Sequence, residues 1–354
     1  MVGCDQGHQG DEPTGGLPVH VVTSNVCPGQ APIAVNGGRI EVAFDRLLNP
    51  SCITRQTFFL KDKSGNEVAG TSNGVYPVAY DPIDRIVTIF NAVLADGQAY
   101  ELDINSPTSP TDQNGLRAID GATLDPRQPL GCASSQSKAT LTFVAAATAQ
   151  PPPAAPTVDF CKDIMPIFFA KCLTGACHGP GPPPTGRAEG LLLDTPSDVG
   201  ATAIGLVAHE ANTGARATAR SADYRIFGAD MPIVDPGSGP QGNGNPGDSW
   251  LIYKMLMAVP AATSSTQADM SDGGAATPTP ATAFHSITAL PLSDPERLTL
   301  SNLVPGREMP YPLLVGAALS QNTQTLSLDE LRRVSRWIAQ TRSDTPLVPS
   351  TCQQ

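Results

Sequence analysis

The chain has 354 residues, which is enough for two ordinary domains that each bury a core. Its formal net charge of -11 excludes a typical nucleic-acid binder, because such proteins need a basic surface to displace counterions from phosphate. The sequence has no run of about 18 apolar residues, so it does not predict a membrane-spanning helix.

Residues 1–32 are predicted to form an N-terminal tail. The start, MVGCDQG, resembles the end of a bacterial lipoprotein signal, in which a cysteine behind small residues becomes the acylated first residue. That resemblance makes Cys4 a candidate membrane tether, with the signal peptide truncated or absent in this numbering. The alternative is an ordinary cysteine near a terminus.

Residues 33–145 predict an all-β domain. Six short segments are rich in β-branched or aromatic residues, and several of them alternate apolar with polar side chains. The turn sequences KSGNE, YDPID and LADGQ separate some of these segments. This spacing is typical of an antiparallel sandwich. The predicted strands are 39–44, 57–60, 74–80, 85–90, 99–104 and 139–145.

Two longer stretches of this region resemble a known family. VAFDRLLNPSCITRQTFFL and TIFNAVLADGQAYELDI are similar to sequences of bacterial immunoglobulin-like domains of the surface-layer type. The resemblance implies a sandwich that spaces or presents another module and has no catalytic role.

Residues 146–157 are rich in alanine and proline and almost uncharged, which predicts an extended, semi-rigid linker and a domain boundary. Beyond it the periodicity becomes helical. Residues 159–172 place Ile164, Phe168 and Cys172 at four-residue steps on one helix face. A second helix is predicted over 248–257, with Asp248 as the candidate N-cap.

The last predicted helix covers residues 327–340. Ser327 and Glu330 match a capping box, and Leu328, Leu331, Val334 and Ile338 form one apolar stripe. The stretch from 258 to about 287 is rich in small and polar residues and is predicted to be an exposed loop.

Cys172, Cys177 and His178 are the residues with the most distinctive chemistry. Covalent haem attachment needs two thiols for the vinyl groups and an imidazole for the iron, and the usual pattern is C-x-x-C-H. Here four residues, LTGA, separate the cysteines. Two alternatives remain open on the residues alone. One is a Cys172–Cys177 disulfide, and the other is a zinc site that also uses Cys161.

The sequence around these residues resembles a second family. DIMPIFFAKCLTGACHG and, near the end, REMPYP followed by LSLDELRRVSRWIAQ are similar to the two ends of single-haem cytochrome c domains of bacterial envelope proteins. The resemblance implies that residues 158–354 form an all-α cytochrome c-like domain with long loops and one covalent haem c. Cys172 and Cys177 would carry the thioethers, His178 would be the proximal ligand and Met309 the distal one. Met231, which also precedes a proline, is the competing distal ligand.

The same resemblance extends to packing. Once two of the eight cysteines are assigned to haem, the remaining six allow fifteen pairings. Because the first and last helices of this domain type cross closely, Cys161 with Cys352 is the expected pair. Trp337 is expected to pack against Phe168 or Phe169.

Together these features predict a multidomain chain, an immunoglobulin-like sandwich followed by a mono-haem c-type cytochrome, that transfers electrons in the bacterial periplasm or cell envelope. Iron with six ligands leaves no site for a substrate, so a carrier and not an enzyme is expected, with redox proteins as partners and no small-molecule substrate. The alternatives are a haem-free, disulfide-stabilised surface or adhesion module and an electron-feeding subunit of a larger redox complex.

Overall fold

The computed structural model describes the chain in segments. The described residues are 16–26, 31–71, 73–109, 112, 114–125, 138–152, 155–173, 178–179, 190–212, 227–228, 230–237, 242–258, 292, 294–304, 309–310, 326–341, 348–349 and 351–352.

The described strands form two four-stranded sheets. The first has the order β1-β3-β6-β5, and all of its neighbours are antiparallel. The second has the order β2-β8-β7-β4, and its β2–β8 pair is parallel, so the sheet is mixed and not purely antiparallel as the sequence predicted. The strands are β1 (Val21–Ser24), β2 (Ile33–Ala34), β3 (Ile40–Phe44), β4 (Phe58–Asp62), β5 (Val78–Asp81), β6 (Ile86–Ile89), β7 (Ala99–Asn105) and β8 (Lys138–Ala146).

All six predicted strands are present, with ends that differ by up to four residues. β1 and β2 were not predicted, because segments of four and two residues carry almost no periodic signal. The first sheet thus takes in residues assigned to the N-terminal tail.

One apolar core lies between the two sheets. It collects inward-facing residues from both, and the rings of Phe44 and Phe58 meet edge to face with centroids 6.1 Å apart. The nine residues of β8 alternate between covered and more exposed positions, as a strand with one core face requires. This packing makes the N-terminal region a β-sandwich.

After residue 158 the described elements are short helices. They are α1 (Met165–Lys171), α2 (Pro196–Thr202), α3 (Trp250–Met257), α4 (Asp294–Leu303) and α5 (Leu328–Gln340). A π-helical turn, Phe160–Ile164, precedes α1. The described part of the chain does not establish the cytochrome c arrangement that the sequence predicted. It also contains no helix with the length and apolar character that a membrane crossing requires.

The helix caps test the local predictions. The capping box of α5 is confirmed, with Ser327 and Glu330 each bonded to the other's backbone N–H. The N-cap prediction for α3 was wrong: the cap position belongs to Ser249, and Asp248 ends a preceding 3-10 turn. The Ser249 hydroxyl donates to the carbonyl of Asn245 instead of capping the helix.

The first and last helices contact each other as expected. Trp337 packs against Phe168, with ring centroids 6.1 Å apart, and against Phe160, at 5.3 Å. Phe169 points away and is 58% exposed. The predicted Cys161–Cys352 disulfide is confirmed, and it closes the helical region around this aromatic cluster.

The sandwich lies directly against the helices. In α4 the Glu296 carboxylate accepts from the backbone N–H of Leu47 (2.9 Å) and from the Arg85 guanidinium (3.0 Å). The α5 residue Arg332 donates to Asp84 at 2.8 and 2.9 Å, and the Ser335 hydroxyl donates to Asp81 at 3.0 Å.

The end of the predicted linker is tied down as well. The Gln340 amide donates to the carbonyl of Pro156 (3.0 Å), and its oxygen accepts from the N–H of Val158 (2.9 Å). The two regions are therefore joined by direct contacts as well as by the linker.

Candidate functional site

His178 occupies a loop position that two backbone hydrogen bonds hold in place. Its N–H donates to the carbonyl of Cys172, at the C-terminal end of α1, over 3.2 Å. Its own carbonyl accepts from the N–H of Leu193, just before α2, over 3.0 Å. The residue is 4% exposed, so its imidazole lies inside the helical region.

The hydrogen bond of the ring defines which nitrogen is available. Nδ1 of His178 lies 3.1 Å from the carbonyl oxygen of Leu191. Because a carbonyl only accepts, Nδ1 carries the proton and Nε2 keeps its lone pair. This is the arrangement in which protein imidazoles bind metals.

The surroundings also favour the neutral ring. Burial lowers the pKa of His178, the hydrogen bond to Leu191 opposes this effect, and the positive charge of Lys254 adds to the lowering. A neutral imidazole at neutral pH can donate electrons to a metal, whereas a protonated one cannot.

Cys172 is buried at the end of α1 in the apolar cluster that also contains Leu191 and Leu193. Its N–H donates to the carbonyl of Phe168 over 2.8 Å, so helical geometry positions the sulfur. The predicted partner Cys177 lies outside the described residues, as does any disulfide with it.

The zinc alternative loses one of its four proposed ligands. Cys161 is bonded to Cys352 and has no thiolate to offer. Among the residues that the structure describes, no group of three or more His, Cys, Asp or Glu side chains is placed to hold a metal ion.

The two candidate methionines lie in different places. Met309 is partly buried against the cluster that contains Cys172, and its N–H donates to the carbonyl of Lys254 over 3.0 Å. Met231 is 6% exposed and belongs to a separate cluster with Phe227 and Trp250.

Cys172 lies in this apolar cluster and Met309 packs against it, while the His178 imidazole bonds to the carbonyl of Leu191, a residue of the same cluster. Imidazole and thioether groups are donor types that haem iron takes as axial ligands. The indole N–H of Trp337, in the same cluster, is buried and has no hydrogen-bonding partner within the described part of the chain. A buried donor of this kind is costly unless something accepts from it.

Two groups that act on the His178 ring, the Leu191 carbonyl and Lys254, were not predicted from the sequence. The Leu191 carbonyl is a backbone group, and no sequence pattern marks it. Lys254 did leave a signal, because it is the one charged residue in the apolar run WLIYKMLM.

The comparisons with known proteins identify no family. No protein-family model and no curated protein matches the chain. Among similar solved structures, surface layer protein SbsC, domains 1–6, is 18% identical over 41% of this chain and 15% of its own, with a TM-score of 0.23. The N-terminal part of the bacterial S-layer protein SbsC is 18% identical over 41% and 27%, with a TM-score of 0.24. Native alpha-2-macroglobulin from Escherichia coli, spanning domains MG0-NIE-MG1, is 12% identical over 42% and 37%, with a TM-score of 0.24.

The chain therefore spans well under two thirds of the length of these structures. Two of the three are of the surface-layer type that the sandwich sequence resembles. At such TM-scores the likenesses carry no argument about family or function.

Proposed function

We propose that this chain is a mono-haem c-type cytochrome that carries electrons in the bacterial cell envelope. One haem c would be bound covalently through Cys172 and Cys177, with His178 and Met309 as the iron ligands. The observation that carries the proposal is the buried His178 imidazole, whose Nδ1 donates to the Leu191 carbonyl and whose Nε2 therefore keeps the lone pair.

The chemistry of these ligands points to electron transfer. A thioether opposite an imidazole favours Fe(II) and raises the reduction potential. Two protein ligands to a haem iron leave no position for a substrate, so we infer a carrier and not an enzyme. Its partners would be redox proteins. A role as the electron-feeding subunit of a larger redox complex would use the same haem chemistry within a stable assembly.

The location is inferred from cysteine chemistry. The Cys161–Cys352 disulfide supports an oxidising compartment, because the reducing cytosol keeps cysteines in the thiol form. Periplasm or outer cell surface satisfies this condition. Cys4, the candidate membrane tether, lies outside the described residues.

The first experiment asks whether haem is attached. The full chain is expressed with a c-type haem maturation system, and its intact mass and reduced-minus-oxidised visible spectrum are recorded. We expect the mass of one haem added to the chain and a sharp alpha band on reduction. A colourless protein with only the chain's mass contradicts the proposal.

The distal ligand has a matched pair of variants. Met309→Ala should abolish the weak thioether-to-iron absorption near the red edge of the spectrum, whereas Met231→Ala should keep it, because Met231 packs in a separate cluster. Loss of the band in Met231→Ala alone would transfer the role to Met231.

A haem-free surface or adhesion module is the second candidate. The sandwich, the disulfide and the buried contacts between sandwich and helices are features of a structural module and need no cofactor. Mass and thiol counting separate the two candidates, because a Cys172–Cys177 disulfide removes two protons whereas haem attachment adds a cofactor's mass.

A further inference from the structure

Trp337 buries a hydrogen-bond donor that the surrounding protein does not satisfy. The side chain is 1% exposed. Its indole N–H can only donate, and it has no hydrogen-bonding partner among the described residues. Because an unpaired donor inside a protein lowers stability, a buried indole of this kind indicates an acceptor that the polypeptide itself does not supply.

The indole lies one helix turn from the proposed haem-attachment residue Cys172. Its ring packs on Phe168 of α1, with centroids 6.1 Å apart. Cys172 follows Phe168 by four residues, and its N–H donates to the Phe168 carbonyl over 2.8 Å, so the two lie on one helix face in successive turns. Both belong with Trp337 to the apolar cluster against which Met309 packs. The unpaired donor therefore lies in the same buried cluster as Cys172.

The side chains of this cluster offer the indole no oxygen. Apart from Trp337 they are hydrocarbon or sulfur groups. Haem, by contrast, carries two propionate groups, and a carboxylate that enters an apolar setting needs donors in place of the water that it leaves. Hydrogen bonds to ionised acceptors are also stronger than those between neutral groups. An unpaired buried N–H and an incoming carboxylate would thus satisfy each other.

We propose that Trp337 is a haem-binding residue whose indole N–H donates to a propionate carboxylate and keeps that carboxylate ionised. The inference rests on the proposed function. An ionised carboxylate near the iron favours Fe(III) over Fe(II), because its charge attracts the more positive ion more strongly. When a redox-protein donor delivers an electron, a proton from solvent binds the carboxylate in the pH range where it titrates. The midpoint potential therefore depends on pH in that range.

The first test uses Trp337→Phe in the haem-loaded chain. Phenylalanine keeps an aromatic ring against Phe168 and removes the N–H. The midpoint potential is measured as a function of pH. We expect the proton affinity of the propionate to rise about tenfold to a hundredfold, because loss of a hydrogen bond to the charged form favours the protonated form. The range in which the potential changes should move upward by about one to two pH units.

The chain offers a matched control in its other tryptophan, Trp250. This residue is also buried, at 3% exposed, but it belongs to the separate cluster that contains Phe227. Trp250→Phe should leave the pH profile of the potential as it is in the parent protein. Both variants should keep the thioether-to-iron band, because neither removes a proposed iron ligand.

A second measurement needs no change at Trp337. In the reduced, haem-loaded parent protein, NMR should show a nuclear Overhauser contact between the indole N–H and the propionate methylene protons. Trp250→Phe assigns the two indole signals, since the chain has only these two tryptophans. This measurement decides the matter if Trp337→Phe does not fold or takes up no haem.

Three results would overturn the proposal. They are a pH profile in Trp337→Phe that matches the parent protein, an equal displacement in Trp250→Phe, and the absence of the indole–propionate contact. Each of them is obtained on haem-loaded protein and leaves the proposed function standing. A parent protein whose intact mass shows no covalent haem refutes the proposed function itself and this inference with it.

Discussion

The sandwich and the helical region are stabilised by different kinds of interaction. In the sandwich, β7 and β8 pair continuously from Ala99 opposite Val144 to Asn105 opposite Lys138, so the stabilisation is spread over a backbone ladder and a shared core. The described helices have between 7 and 13 residues, lengths at which an isolated helix is marginal. They pack in two apolar clusters and are held in addition by the aromatic contacts of Trp337 and by the Cys161–Cys352 disulfide.

This difference indicates where single substitutions should have the largest effect on stability. The strands of the sandwich are joined by continuous ladders, whereas short helices depend on packing and cross-links, so we expect loss of a cross-link or of a buried ion pair to have the larger effect. The chain offers a convenient probe, because both tryptophans, Trp250 and Trp337, lie in the helical region. Tryptophan fluorescence therefore follows the helices, and far-UV circular dichroism follows the whole chain.

The largest effect is expected where the two regions meet. Arg85 and Glu296 form an ion pair in which both side chains are at most 6% exposed. Arg85→Met leaves Glu296 without this cation and should lower the free energy of unfolding by about 3–5 kcal/mol. Because the pair joins both regions, the fluorescence and circular dichroism transitions in urea should shift together.

A surface pair supplies the control for that substitution. Arg55 and Glu67 are 2.6 Å apart but 35% and 41% exposed. Arg55→Met should cost no more than about 1 kcal/mol. Equal losses of unfolding free energy in Arg85→Met and Arg55→Met would show that the buried ion pair stabilises the contact between the two regions no more than a surface pair does.

Removal of the disulfide should come next. It closes a sequence separation of 191 residues, and the double variant Cys161→Ser and Cys352→Ser should lose about 2–5 kcal/mol. Here the fluorescence transition should move to lower urea more than the circular dichroism transition does, which would sharpen the contrast between the regions.

Cys52→Ala is the matched cysteine control. Cys52 is buried in the sandwich and has no disulfide. Its replacement should cost about 1 kcal/mol. If this loss equals or exceeds that of the disulfide variant, the helical region does not depend on the bridge.

A smaller, pH-dependent effect is expected at the contact between the β5–β6 turn and α5. Burial and the neighbouring Asp84 carboxylate raise the pKa of Asp81 to about 6, with hydrogen bonds from Ile83 and Ser335 opposing the rise. The pKa of Asp81 is higher in the folded chain than the unfolded value of 3.8, so the protonated carboxyl favours the folded state. Its contribution to the free energy of unfolding is complete below about pH 4 and is lost as the pH rises through about 6.

Asp81→Asn mimics the protonated acid and should therefore stabilise the chain at pH 7, by on the order of 2 kcal/mol. Urea unfolding of both proteins at pH 5 and pH 7 measures this. The gap between the variant and the parent should narrow at the lower pH. Parallel pH curves for the two proteins would contradict the assignment.

The smallest effect is expected at the N-terminus of α5. Ser327→Ala removes the side chain that accepts from the Glu330 N–H over 3.2 Å. The expected loss is about 1 kcal/mol, detected chiefly by fluorescence because Trp337 is in this helix. Ser64→Ala, in an exposed turn of the sandwich, should change stability by less than about 0.5 kcal/mol. Equal losses of stability in Ser327→Ala and Ser64→Ala would mean that the N-cap contributes little to the stability of α5.

Local patterns in the sequence determined much of the secondary structure. Alternation and β-branched residues located six of the eight described strands, and apolar spacing with a capping box located α1 and α5. These features act over a few residues, so they can be seen without the rest of the chain. The same holds for Cys172 and His178, whose chemical types identified the candidate site before its geometry was known.

The contacts by which these parts meet became visible only in the three-dimensional structure. The Leu191 carbonyl on His178, the Lys254 carbonyl on Met309 and the Arg85–Glu296 pair join residues between 13 and 211 positions apart. Such contacts form between surfaces that come together only after the two cores have folded. The polar groups buried there then need hydrogen-bonding partners. The linker rich in proline predicted a domain boundary, but which surfaces bury charge and apolar area against each other depends on shape, which composition does not encode.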